Sequence, residues 1–166
     1  MNHKLDTDSQ VFFYEQDFYV LSNFSAFNLR WKDIIFQTSE AAYHYEKFPG
    51  TGAYPGAQWM IVNARSAHDA FKYAEEHRAS RRRDWDEIKV SIMLRILTEK
   101  ALQHEYVRRK LFATGERELI EDSWRDDFWG WGPNRDGQNM LGKLWMQVRE
   151  NLRDVRYAST SGENHE

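Results

Sequence analysis

The chain has 166 residues, no cysteine and a formal net charge of −3, from 23 Lys and Arg against 26 Asp and Glu. This length favours a single domain, and the slightly acidic balance argues against a broad, non-specific nucleic-acid surface. The lack of cysteine excludes disulfides and thiolate-based metal or redox sites. The polar start predicts no signal peptide, and no apolar stretch has the length of a membrane span, so we expect a cytoplasmic protein.

Aromatic and β-branched residues in the first third of the chain predict short strands. The predicted strands are Val11–Tyr14, Phe18–Leu21, Phe27–Trp31 and Ile34–Phe36. Only Lys32 and Asp33 separate the last two, so we expect these two strands to pair as a hairpin.

Helical patterns follow the strands. Thr38 or Ser39 is the predicted cap of a helix that ends near Phe48, and residues 50–57 form a loop rich in Gly and Pro. Further helices are predicted at residues 58–63, 67–77, 84–104, 105–113 and 140–152, with one more short strand at 117–121. The expected fold is α+β: a helix-dominated single domain over residues 11–155, with a small antiparallel sheet from the N-terminal third. Residues 1–10 and 156–166 are expected to be polar, disordered tails.

One face of the helix after Thr38 carries Glu40, Tyr43, His44 and Lys47. At about 100° per residue these side chains form a single stripe. An acid two turns from a lysine, with an aromatic ring and an imidazole between them, fits a reactive pocket. It also fits a solvated face whose charges suit the helix dipole. We interpret His44 as a packing or hydrogen-bonding residue, and without a second histidine at metal-ligand spacing we predict neither a metal nor a cofactor.

A second constellation places tryptophan between glycines, in the run Asp126-Asp127-Phe128-Trp129-Gly130-Trp131-Gly132. Glycine removes neighbouring side chains and permits positive φ, so a ring held there tends to stand at the rim of a cleft. The Asp126 carboxylate would then handle protons or bind ribose hydroxyls beside a flat stacking surface. In the alternative interpretation, both tryptophans pack a surface loop onto the core.

The strongest positive cluster is the segment 77–83, with four arginines. Such a run is usually a solvated approach to a helix, whereas beside a pocket it would bind phosphate. In the helix that follows, Trp85 and Lys89 fit either the core or a binding site.

Several motifs occur in a fixed order along the chain. They are Leu21-Ser22-Asn23-Phe24, Thr38-Ser39-Glu40 with Tyr43 and Lys47-Phe48, Trp85 with Lys89, Asp126-x-Phe128-Trp129-Gly130-x-Gly132, and Gly137-x-Asn139-x-Leu141-Gly142. Each motif alone is weak, but the ordered set is specific and resembles the NADAR family, which is similar to the YbiA-type N-glycosidases. The resemblance covers the chain from Phe12 to Leu152. The chain departs from the family pattern at residues 50–57 and 63–80, which we expect to border the leaving group.

The resemblance implies cleavage of an N-glycosidic bond between ribose C1 and an amine or base. Known members of the family act on phosphoribosylated, pyrimidine-type riboflavin intermediates or remove ADP-ribose linked to guanine. By position, the resemblance assigns Glu40, Trp85, Asp126 and Trp129 to the active site and implies a Schiff-base role for Lys47. The remaining residues of the expected substrate-binding set are Asn23, Phe24, Tyr43, Lys89, Gly130 and Asn139.

Two mechanisms fit these residues. In the first, the Lys47 amine attacks C1 to form a Schiff base that water hydrolyses, while Glu40 exchanges protons and Asp126 orients a hydroxyl or the water. In the second, water displaces the leaving group directly, with Glu40 and Asp126 as the acid–base pair and Lys47 as a phosphate contact. Lys89 is the rival candidate for the nucleophile.

We therefore expect an N-glycoside hydrolase whose substrate is a phosphoribosylated or ADP-ribosylated small molecule of the riboflavin-intermediate type. One alternative is an ADP-ribosyl-guanine hydrolase that acts on modified nucleic acid. The other is a non-catalytic ADP-ribose-binding module. The presence of Glu40, Lys47 and Asp126 together argues against the binding module, which needs no set of proton-handling groups.

Overall fold

The computed structural model describes residues 5–14, 16–50 and 56–161, without the side chains of Gln16 and of residues 156–161. Residues 51–55 of the predicted loop, and the outermost residues of both predicted tails, lie outside this range. The described part has the predicted α+β fold, dominated by helices, with an antiparallel strand pair from the N-terminal third.

The elements follow one another as β1 (Gln10–Phe12), β2 (Leu29–Trp31), β3 (Ile34–Phe36), α1 (Ser39–Glu46), α2 (Gly56–Val62), α3 (Ala67–Glu76), α4 (Trp85–Gln103), α5 (Glu105–Ala113), β4 (Glu118–Ile120) and α6 (Met140–Ser161), with 3-10 helices at Gln16–Leu21 and Arg78–Ser80. The chain separates into two compact units. One unit is Tyr19–Arg108, and the other combines the chain up to Phe18 with the chain from Arg109 onward. No helix among the described residues is long and apolar enough to cross a membrane.

The predicted hairpin is present. Strands β2 and β3 pair antiparallel, with Leu29 opposite Phe36 and Trp31 opposite Ile34. Lys32 and Asp33 both have positive φ, 50° and 62°. Positive φ at both central residues is the condition for the two-residue hairpin turn whose twist matches that of the strands.

The predicted strand at residues 18–21 is wrong, because this segment is part of the 3-10 helix Gln16–Leu21. A short apolar run bounded by polar residues does not distinguish a strand from a helical turn. The partner of β1 is instead β4, with which it pairs in parallel, Val11 lying opposite Leu119. The sequence does not predict this pairing, since the two strands lie far apart along the chain.

In the Tyr19–Arg108 unit, α1 packs against α2, α3 and α4. As predicted, Thr38 caps α1, and its side chain accepts a hydrogen bond from the backbone N–H of Ala41. Helix α4 supplies the other large part of this core with Trp85, Met93 and Ile96, which are all at most 1% exposed. α1 is thus held on several sides, which fixes the directions of its side chains.

In the other unit, α6 packs on β4. Helix α6 continues to Ser161, beyond Leu152, where the apolar pattern ends. At the other end of the chain, the segment expected to be a tail makes specific contacts: Asp6 accepts a hydrogen bond from the backbone N–H of Phe12, and Thr7 accepts one from that of Gln10. Such local side-chain-to-backbone bonds give order that polar composition alone does not reveal.

Candidate active site

The N-terminus of α1 is bound to the loop that carries Asn23 and Phe24. Asn23 is buried, its carbonyl accepts a hydrogen bond from the Glu40 backbone N–H at 3.1 Å, and its side-chain oxygen accepts one from the Ser39 hydroxyl at 3.0 Å. The side-chain nitrogen of Asn23 reaches Met93 of α4. Phe24 is 46% exposed. Asn23 thus fixes the start of α1, and Phe24 presents an aromatic ring to solvent beside it.

Glu40 and His44 form a close pair on α1. The Oε1 atom of Glu40 lies 2.7 Å from Nε2 of His44, with side-chain exposed fractions of 12% and 2% respectively. The His44 ring meets Tyr43 and Phe71 edge-on. The predicted stripe is therefore present, and at His44 it is a buried face rather than a solvated one.

Tyr43 links the stripe to α4. Its ring centroid lies 5.0 Å from that of Trp85, at an interplanar angle of 57°, and the Lys47 ammonium lies 5.2 Å from the same tyrosine ring. Trp85 is 1% exposed, so it packs with Tyr43 inside the unit and offers no flat face to solvent. The expected contact of Trp85 with substrate stays a prediction, and the ring contacts give it a packing role in addition.

Lys47 follows the last helical residue of α1. Burial is the largest influence on its amine and lowers the pKa, and the charges of Arg81 and Lys89 lower it further. The carboxylates of Glu40 and Glu75 act in the opposite direction. The net pKa is below its ordinary value of 10.5, which favours the unprotonated amine that a nucleophile requires.

Arg81 and Lys89 share one carboxylate. Asp86, in the first turn of α4, accepts a hydrogen bond from Arg81 at 3.3 Å and one from Lys89 at 3.1 Å. Asp86 is well exposed, whereas the two cations are partly buried. This arrangement holds two positive charges in the surroundings of the Lys47 amine.

The other unit contains the Trp-Gly loop. Asp126 accepts two backbone hydrogen bonds on Oδ1, from Phe128 at 2.9 Å and from Trp129 at 2.6 Å. Trp129 is half-buried, and its ring meets that of Phe128 edge-on at 4.9 Å. Asp126 therefore shapes the turn that presents Trp129. Its expected role with ribose or water stays a prediction.

Gly130 and Asn139 have clear structural roles in the same loop. A Cβ atom at Gly130 would lie 2.8 Å from Cβ of Ser123, so the loop closes too tightly for any side chain. Asn139 is buried at a φ of 50°, accepts a hydrogen bond from the backbone N–H of Glu121 and donates one to the carbonyl of Leu119. Its amide joins the loop to β4, and substrate binding by Gly130 and Asn139 stays a prediction.

The structure thus brings Glu40, Tyr43 and Lys47 together with Trp85 in one unit, and Asp126, Trp129, Gly130 and Asn139 in one loop of the other. Sequence reasoning did not anticipate that His44 would pair with Glu40. Their spacing of four residues on a helix was the available signal. Among the described residues, no group of three His, Asp or Glu is placed to hold a metal ion.

The NADAR domain matches residues 12–153 of the chain. A riboflavin biosynthesis protein of Vibrio vulnificus is 34% identical over 149 residues, which are 89% of this chain and only 40% of that protein. An N-glycosidase of Nostoc punctiforme is 34% identical over 148 residues, which cover 87% of this chain and 94% of the relative. This chain therefore spans nearly the whole length of the second relative but less than half the length of the first.

A solved structure agrees with these sequence matches. The NMR structure of the Escherichia coli protein YbiA aligns with a TM-score of 0.79 at 28% identity and covers 98% of this chain and 92% of the other. The expected family and fold are therefore confirmed. The chain belongs to the NADAR family and is an enzyme of the N-glycosidase class.

Proposed function

We propose that this N-glycosidase hydrolyses the bond between ribose C1 and the nitrogen of an amine or base in a phosphoribosylated or ADP-ribosylated small molecule. The preferred substrate is a pyrimidine-type riboflavin intermediate. The name of the Vibrio vulnificus relative, a riboflavin biosynthesis protein, supports this choice. We place the reaction in the cytoplasm, whose reducing conditions suit a chain without cysteine.

The observation that carries the proposal is the Lys47 amine beside Tyr43, with its pKa lowered by burial and with Glu40 among the charges that act on it. A lysine with a lowered pKa gives up its proton more readily, and a carboxylate nearby can receive that proton. In the proposed mechanism, transfer of this proton from Lys47 to Glu40 produces a neutral amine and a carboxylic acid. These are the nucleophile and the general acid that C–N cleavage needs.

In the proposed reaction the lone pair of the neutral Lys47 amine attacks C1, the bond from C1 to the leaving nitrogen breaks, and that nitrogen takes the proton of Glu40. The new ammonium returns a proton to the Glu40 carboxylate. The ring C1–O bond then breaks as nitrogen forms the imine, and the ring oxygen takes the Glu40 proton. Water adds to C1 and passes a proton to Glu40, and collapse of the carbinolamine releases the open sugar and the free Lys47 amine.

The phosphate of the substrate is assigned to Arg81 and Lys89. Both lie close enough to Lys47 for their charges to lower its pKa, and both are held by the exposed carboxylate of Asp86. Guanidinium groups bind phosphate through paired hydrogen bonds, and a lysine adds a point charge. The phosphate would therefore anchor the ribose with C1 within reach of the amine.

ADP-ribosyl-guanine is the second candidate substrate. The arginine-rich segment before α4 favours it, because Arg81 and its neighbours supply more positive charge than one phosphate needs. The formal net charge of −3 argues against binding to a long nucleic-acid duplex. A short single-stranded or mononucleotide substrate is the form of this candidate that fits the chain.

The proposal is tested by incubating the purified protein with a phosphoribosylated pyrimidine riboflavin intermediate and, separately, with ADP-ribosylated guanosine. Released sugar is measured by mass spectrometry, with the Lys47→Met variant as the control for contaminating activity. We expect wild-type protein to release ribose 5-phosphate from the first substrate. Turnover of the second substrate alone would move the assignment to ADP-ribosyl-guanine, and turnover of neither would contradict the proposal.

A further inference from the structure

The Glu40–His44 pair has a feature that packing does not explain. Oε1 of Glu40 lies 2.7 Å from Nε2 of His44, which is a short, charge-assisted distance for such a bond. The other ring nitrogen of His44, Nδ1, is buried and makes no hydrogen bond among the described residues. Tyr43 and Phe71 contact this ring edge-on.

The environment selects one protonation state of the imidazole. A proton on Nδ1 would be an unpaired donor in apolar surroundings, and an imidazolium carries that same unpaired Nδ1 donor. The less costly state is the neutral ring with its proton on Nε2. His44 then donates a hydrogen bond to Oε1 of Glu40.

We infer that His44 is a positioning residue of the reaction: its Nε2–H fixes Oε1 of Glu40, so that the other oxygen, Oε2, exchanges the protons. This inference rests on the proposed role of Glu40.

Two substitutions separate the hydrogen bond from the packing. His44→Phe keeps an aromatic ring between Tyr43 and Phe71 and removes the donor. His44→Gln removes the ring and keeps a nitrogen donor near the position of Nε2. We expect His44→Phe to lower kcat roughly 10- to 100-fold with KM little changed, as for loss of a bond to a charged group. We expect His44→Gln to keep most of the activity.

The pH profile gives a readout that a purely structural role would not move. If the Nε2–H of His44 fixes Glu40, the pH profile of kcat should differ from the wild-type profile in His44→Phe and coincide with it in His44→Gln. The ionisable groups in these surroundings are Lys47 at the C-terminal end of α1, His68 and Glu75 on α3, Lys89 on α4 and Arg81 before it. Helix α2 and strand β3 carry none, and Arg30 of β2 pairs with Asp33. All these groups are unchanged in both variants.

The tautomer is measured without any substrate, by nitrogen–proton correlation NMR of protein with labelled histidine. His44 is assigned through the spectrum of His44→Gln, and His104, whose Nε2 lies within hydrogen-bond distance of the Asn28 carbonyl, is the reference. We expect a neutral His44 with the proton on Nε2. A proton on Nδ1 or an imidazolium at neutral pH would overturn the inference even in an active enzyme.

Kinetics supply the other decisive outcomes. If His44→Phe keeps the wild-type kcat, or if both variants lose activity equally along with thermal stability, His44 serves packing alone. If the wild-type protein turns over no N-glycoside, the proposed function fails, and the NMR result still decides the tautomer. The two failures are therefore distinguishable.

Discussion

Glu40 and Glu46 lie on the same helix, but their carboxylates have different partners. Glu46 is buried and binds the Trp31 indole N–H at 2.6 Å and the Lys32 ammonium at 3.0 Å. Glu40 is paired with His44 and remains 12% exposed. One glutamate thus joins α1 to the β2–β3 hairpin, and the other stays partly exposed to solvent, where its charge acts on the Lys47 amine.

We expect Glu40→Gln to lower kcat by about 10²–10⁴, because the amide keeps the shape of the side chain but cannot exchange protons. Its melting temperature should stay close to that of the wild type. Glu46→Gln is the matched control: it removes the charge that Lys32 binds, so it should lower the melting temperature and leave kcat nearly unchanged. A Glu40→Gln enzyme with normal kcat would remove Glu40 from the mechanism.

The covalent step predicts where a trapped sugar is found. Borohydride added during turnover should reduce the imine to a stable secondary amine on Lys47, because burial lowers the pKa of this amine beside Tyr43. Peptide mass spectrometry then locates the added mass. Sugar on Lys89 would exchange the roles of the two lysines, and turnover without any trapped sugar would favour direct attack by water.

At the scale of secondary-structure elements, the sequence predicted an element correctly where neighbouring residues carried its capping or turn signals. The cap at Thr38 and the pairing across Lys32 and Asp33 are confirmed, because capping and turn chemistry are carried by neighbouring residues. The segment 18–21 was not predictable in this way. Its apolar residues fit a strand and a helical turn equally, and β4, the partner of β1, is distant from it in sequence.

The contact between α6 and β4 requires glycine at position 142. A Cβ atom there would lie 2.0 Å from the carbonyl oxygen of Leu119, so the helix would have to move off the strand. We expect Gly142→Ala to lower the free energy of unfolding by about 3 kcal/mol or more, the upper range for overpacking. Gly50→Ala is the control, since nothing lies within 4 Å of its added methyl group. Equal denaturation midpoints for the two variants would contradict this close approach.

Helix α4 carries a second buried lysine, Lys100, which donates to the carbonyl of Ser22 at 2.9 Å and to the hydroxyl of Ser25 at 2.7 Å. Burial lowers its pKa from 10.5 to about 7. The unfolded chain therefore binds more protons than the folded one between these two values, and the free energy of unfolding rises with pH across that window. The slope from this one group reaches about 1.4 kcal/mol per pH unit.

The difference in free energy of unfolding between wild type and Lys100→Met isolates this contribution. We expect the difference to shift in favour of the wild type as pH rises from about 7 to about 10. Urea titrations at several pH values measure it. Parallel pH profiles would show that the Lys100 amine titrates as an exposed lysine does.

For the whole molecule, the ordered motifs predicted the family, whereas the geometry within the site depended on packing. The spacing of Glu40, Tyr43 and Lys47 defines a common helix face wherever a helix forms. Whether Trp85 is buried and whether Nδ1 of His44 finds a partner depend on how α3 and α4 pack. No local sequence pattern predicts that packing. The role of Asn139 likewise depends on packing, because its side-chain amide forms hydrogen bonds with the backbone of residues 119 and 121.

If the substrate is phosphorylated, as we propose, this slightly acidic protein must concentrate positive charge at the phosphate, and substitution of Arg81 tests whether it does. We expect Arg81→Met to raise KM for the phosphorylated substrate about tenfold or more, as for loss of a hydrogen bond to a charged group. KM for the dephosphorylated nucleoside should hardly change, and kcat should fall less than KM rises. Added salt should raise the KM of the wild type more than that of the variant, because salt screens exposed charges.

Arg83→Met is the matched control for this prediction, because Arg83 lies in the same basic segment and its side chain is exposed. If Arg81 and Lys89 bind the phosphate, Arg83→Met should keep KM within about twofold of the wild-type value, because it removes only one screened surface charge. Inorganic phosphate as a competitive inhibitor gives the same comparison without the sugar, and its inhibition constant should rise in Arg81→Met only. Equal effects of both substitutions would assign the binding to the general charge of the segment, and no effect of either would place the phosphate elsewhere.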